Sequence, residues 1–135
     1  MSEIAEHFEK GVELFNRGEF FEAHEAMEDA MNALQDDTSD WDFYRGLLRA
    51  AVANHKLTQG ETSSAILHLR AALEFLAPYS DRHRGVKLRE FRYALNVQLG
   101  RLLELSARPA QPVEEAAALA ADAARADPPR IEMAP

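Results

Sequence analysis

The chain has 135 residues, 47% of them apolar, and a net charge of −8; this length suits one domain with its own core and leaves little room for a second. It contains no cysteine, which removes disulfides, thiolate metal sites and cysteine nucleophiles together, so any metal must rest on histidine and carboxylate ligands. The acid excess argues against nucleic acid and anionic membrane as partners. An acidic start (Glu3, Glu6) and no run near the roughly 20 apolar residues of a membrane span predict a cytoplasmic protein.

In chain order, Ile4, Phe8, Val12 and Phe15 recur at helical spacing, predicting an amphipathic helix over 3–16 that ends at Gly18, a natural left-handed residue. Phe20, Ala23, His24, Met27, Met31 and Leu34 form the inner stripe of a second helix, closed by the polar run 35–40. Asp40 is a good N-cap for a third helix, carrying Trp41, Tyr44, Leu47, Leu48, Ala51, Val52, His55 and Leu57 before Gly60. A fourth runs from about Thr62 through Leu76 and stops before Pro78. Tyr79 to Gly85 reads as a connector, and Leu88, Phe91, Leu95, Leu99, Leu102 and Leu103 mark a fifth helix.

No run alternates with period two long enough for a strand, so the expected class is all-α, with the folded domain at 1–106. Residues 107–135 are Ala/Pro-rich with few large apolar side chains, which predicts a flexible tail in which 113–126 form at most a transient or docked helix. An internal echo organises the rest. At an offset of 42 residues Gly18 falls on Gly60, Glu19 on Glu61, Ala23 on Ala65, Met27 on Leu69 and Met31 on Leu73. A Gly-Glu reversal followed by a small residue suits two closely packed helices. The predicted architecture is therefore a five-helix bundle of two tetratricopeptide-like hairpins sealed by a C-terminal helix.

Charge is unevenly spread. Residues 1–40 hold twelve acids and two bases, whereas 41–106 hold ten bases and six acids. The plain expectation is that the acidic first hairpin packs beside the basic last helix, with weak pairs across the seam. The alternative is an anion site among Arg82, Arg84, Lys87, Arg89 and Arg92, or a charge-guided partner.

The position that matches His24 in the second copy is Ile66, so His24 is expected to face the interior, with Glu28 one turn on and Glu25 at the edge. Buried ionisable groups need partners. In one reading His24 and Glu28 hold each other, Trp41, Tyr44 or a backbone carbonyl in a structural network. In another, His24, Glu28 and His55 ligate zinc, iron or manganese, the two-histidine, one-carboxylate set that helical bundles host, with Glu25 as a candidate base. A third uses His24 and Glu28 in a metal-free pocket. Only one such element occurs, and His-Glu-x-x-Glu lacks the second histidine of the zinc-protease motif. Trp41 is expected in the core, Arg45 and Arg49 either line a groove or face water, and His7, His68 and His83 are expected to be solvated.

Leu14-Phe15-Asn16, Gly18-Glu19-Phe20-Phe21-Glu22-Ala23-His24-Glu25 and Glu28, followed by Gly46-Leu47 and His55, resemble the domain-of-unknown-function family number 309 over roughly residues 8–77. The resemblance implies a small all-α fold with the His-Glu element marking its site, and implies no established reaction. Met31 stands where the family usually has tryptophan, and Arg45 and Arg49 stand where it usually has glutamines, which makes the pocket more cationic. The expected function is a non-catalytic module binding a protein or small ligand between its hairpins, possible as a homodimer. A metal-dependent hydrolase is the alternative.

Overall fold

A computed structural model describes residues 3–35, 37–107, 115, 118 and 128–135. Five helices lie among them: α1 (Glu3–Asn16), α2 (Phe20–Ala33), α3 (Trp41–Thr58), α4 (Thr62–Leu76) and α5 (Leu88–Ser106). The class is all-α. None of these helices is long and apolar enough to cross a membrane.

The two hairpins share one turn. Gly18 and Gly60 take φ of +80° and +74°, and the following Glu19 and Glu61 have φ/ψ of −88°/71° and −87°/73°. Glu19 N–H donates to the Leu14 carbonyl and Gly18 N–H to Phe15; Glu61 donates to Lys56 and Gly60 to Leu57. This is the Schellman closure, in which a left-handed residue turns the chain while satisfying carbonyls the helix leaves open. Behind each turn Ala23 and Ala65 are fully buried, small enough to let the paired helices approach.

The helices pack as α1 on α2, α2 on α3, α3 on α4 and α4 on α5. Phe15 links the first helix to the last, its ring 5.2 Å from Phe20 and 5.6 Å from Phe91, both edge-on. Glycine sets the tightest crossing: a Cβ on Gly46 would fall 2.5 Å from Leu76 Cγ. Where α3 meets α5, the fully buried Asn54 exchanges amide bonds with Gln98, Gln98 Nε2 donating to Asn54 Oδ1 at 2.7 Å and Asn54 Nδ2 to Gln98 Oε1 at 3.3 Å. Such a pair satisfies both amides in one relative placement of the helices and penalises others.

The structure departs from expectation in two places. The connector folds into a ribbon, β1 (Arg82–His83) antiparallel to β2 (Val86–Lys87), around Arg84 and Gly85 at φ of +50° and +79°. Positive φ at both turn residues is the two-residue hairpin geometry, and four strand residues are too few to show a period. Part of the expected flexible tail is also placed. Ile131 is buried, and Val86 bridges to Met133. The helix considered over 113–126 lies, except for Glu115 and Ala118, outside the described residues.

Candidate functional site

His24, Glu28, Trp41, Arg45 and Arg49 line one open groove of about 540 Å³ between α2 and α3, with Met31, Asn32, Leu48 and Val52 completing its walls. Helical spacing puts them there. His24 and Glu28 are one turn apart on α2, as are Trp41, Arg45 and Arg49 along α3, so each helix turns one polar row toward the other.

His24 is half-buried rather than buried, its side chain 26% exposed, and Nε2 stands 3.4 Å from Glu28 Oε2. Ile66 is likewise half-buried: the stripe that holds both positions lies at the border of the core. Trp41, expected in the core, is 41% exposed in the groove wall. The Arg45 guanidinium carbon lies 5.6 Å from the Trp41 ring centre and 5.4 Å from that of Phe75. Both distances are within cation–π range, which favours the charged guanidinium beside the two rings. No ion pair engages Arg45 among the described residues. Arg49 Nη1 meets His68 Nδ1 at 3.1 Å, which makes that nitrogen the acceptor. Partial burial, followed by the charges of Arg49 and Lys56, holds the His68 pKa below its usual range, so His68 is not a freely solvated side chain.

The other candidates fall elsewhere. Tyr44 is buried, edge-on to Phe8 at 5.7 Å and Phe43 at 5.2 Å, and borders a separate cavity of about 300 Å³ with Arg84 and Asp37. Burial pushes its phenol pKa up. Glu25 is exposed and is not in the groove wall. His55 does not join His24 and Glu28: both imidazoles pack on the Phe21 ring, at 5.7 Å for His24 and 5.5 Å for His55. Among the described residues no three histidine, aspartate or glutamate side chains come together to hold a metal.

A second polar cluster is invisible in the sequence. Asp40 occupies the N-cap position of α3 but makes no side-chain capping bond. Its carboxylate, 5% exposed, takes Arg84 Nε at 2.5 Å and His83 Nε2 at 2.7 Å. The Asp40 bond raises the Arg84 pKa. His83, expected in solvent, packs at 4.7 Å from both Phe43 and Tyr79. Partners more than 40 residues apart leave no spacing signal. Three of the five bases considered for an anion site have partners within the protein: Arg84 pairs with Asp40, Arg92 with the Leu76 and Tyr79 carbonyls and Asp81, and Lys87 approaches Glu132 at 3.8 Å.

Comparison with known proteins gives a family and no activity. The family model described as Domain of unknown function (DUF309) matches residues 8–67. An uncharacterized protein of Aquifex aeolicus (strain VF5) is 33% identical over 100 residues, 74% of this chain and 30% of that protein, so the match spans less than a third of the relative. No solved structure matches the chain.

Proposed function

Since residues 8–67 are a member of the domain-of-unknown-function family DUF309, which carries no assigned reaction, we propose from the groove itself that this protein is a binding module for a small anionic ligand. The carrying observation is Arg45, a residue of the groove wall whose guanidinium carbon lies 5.6 Å from the Trp41 ring centre and 5.4 Å from that of Phe75, with no acid paired to it among the described residues. A carboxylate or phosphate can accept from a guanidinium in bidentate fashion. Trp41, Met31, Leu48 and Val52 supply apolar wall for a planar or aliphatic body, and His24 with Glu28 and Asn32 offers polar groups across from it. In this reading the two hairpins act as a tetratricopeptide-like pair whose groove receives the ligand.

The chain has a single tryptophan, so indole fluorescence reports on this groove directly. Titration with benzoate, phenyl phosphate and inorganic phosphate is expected to give a saturable change for at least one probe. Arg45→Leu is expected to weaken it by tenfold or more, the scale of a lost charge-assisted bond, with the helical circular dichroism unchanged. No response to any probe, or an equal response in Arg45→Leu, counts against the proposal. The metal-dependent alternative through His24, Glu28 and His55 gains no supporting observation, since the three do not assemble among the described residues.

A further inference from the structure

The segment 128–135 lies on the helical body as an extended arm, and its backbone is read by the rest of the protein. Asn16 spends its whole carboxamide on Ile131: Nδ2 donates to the Ile131 carbonyl at 2.9 Å and Oδ1 accepts from the Ile131 N–H at 2.8 Å. Two more backbone bonds join the arm to the ribbon, Lys87 N–H to the Glu132 carbonyl at 2.8 Å and Ala134 N–H to the Gly85 carbonyl at 2.6 Å. The Ile131 side chain, 1% exposed, fills an apolar hole. Strand edge, amide clamp and one deep apolar anchor are the elements by which proteins hold extended peptides: main-chain bonds give affinity, and the anchored side chain gives specificity.

We propose that Asn16, the edge of β2 and the hole under Ile131 form a docking site for an extended segment of the form Arg-Ile-Glu-Met, and that a second copy of this chain can supply that segment. The occupant is identified by what is already seated there, and none of its contacts depends on which molecule the arm belongs to. Lys87 facing Glu132 at 3.8 Å adds charge complementarity. Exchange of an identical element is the low-cost route to a dimer. In dilute solution the tethered arm prevails because its effective concentration is high.

The test uses the full 135-residue chain. Ile131→Asp disables the arm and opens the site, and a labelled peptide of residues 128–135 is then expected to bind this variant saturably by fluorescence anisotropy. Wild type, whose site is filled, binds it at least tenfold more weakly. Adding Asn16→Ala to Ile131→Asp is expected to weaken the peptide about tenfold, the worth of a lost pair of bonds. A helical Ile131→Asp chain that takes no peptide, or binding undiminished by Asn16→Ala, overturns the docking site. Should Ile131→Asp lose its helical spectrum, Ala134→Pro, which deletes one donor, replaces it under the same criteria. For the second copy, mixing the Ile131→Asp chain with an Asn16→Ala chain is expected to yield a one-to-one complex by light scattering. Peptide binding with no such complex overturns the second-copy occupant.

Discussion

Asp40 is a single residue whose role changed most between sequence and structure, and its removal separates the two roles. A lost cap costs about 1 kcal/mol, whereas breaking a fully buried ion pair costs about 3–5 kcal/mol. Here the carboxylate is buried but Arg84 is 55% exposed, so solvent screens one side, and Asp40→Ala is expected to cost about 2 kcal/mol in urea unfolding. Arg84→Gln should cost less, because it leaves His83 on the acid. His68 makes a prediction about pH. Its folded pKa is depressed, so between the folded and unfolded values the unfolded chain binds the extra proton and stability rises with pH. The folded state thus loses stability as pH falls below about 6.5 and holds it above. His68→Gln is expected to flatten the fall in melting temperature between about pH 7 and pH 5.

At the scale of elements, the helices and their turns were legible because both signals are local. Apolar spacing placed all five helices, and the Gly-Glu echo placed two turns whose backbone angles agree within a few degrees. Gly18→Ala tests the turn alone, since nothing lies within 4 Å of the added Cβ; the expected loss is about 1 kcal/mol, the cost of a left-handed alanine. Gly46→Ala tests the crossing. Overpacking against buried Leu76 costs about 1–3 kcal/mol, and the gain in helix propensity of about 1 kcal/mol offsets only part. Thermal unfolding should show a net loss, and the further loss caused by Gly46→Ala should be smaller in a Leu76→Ala background, itself destabilised by about 2–5 kcal/mol, because that background removes the nearest contact of the added Cβ. The ribbon escaped sequence reasoning since its strands have two residues each, and the arm escaped because composition speaks to the average of a tail, not to one isoleucine within it.

For the whole molecule, legibility stops at partnerships between distant segments. Residues on one helix face could be grouped from spacing, so five of the groove's lining side chains were named in advance. Tyr44, on the neighbouring strip of α3, is instead buried against Phe8 and Phe43. Between the first hairpin and the last helix Phe15 meets Phe91 edge-on, and Asp40 pairs with His83 and Arg84 of the ribbon segment. One further consequence belongs to time rather than space. The hairpins close between neighbours in sequence and need little chain to be gathered, whereas Asn16 and Ile131 are 115 residues apart. The entropy of closing so long a loop is recovered only once the receiving surface exists, so the arm latches last and releases first. In native-state hydrogen exchange the Ile131 and Ala134 amides are therefore expected to open well below the energy of global unfolding, ahead of the amides in the core of α3 and α4.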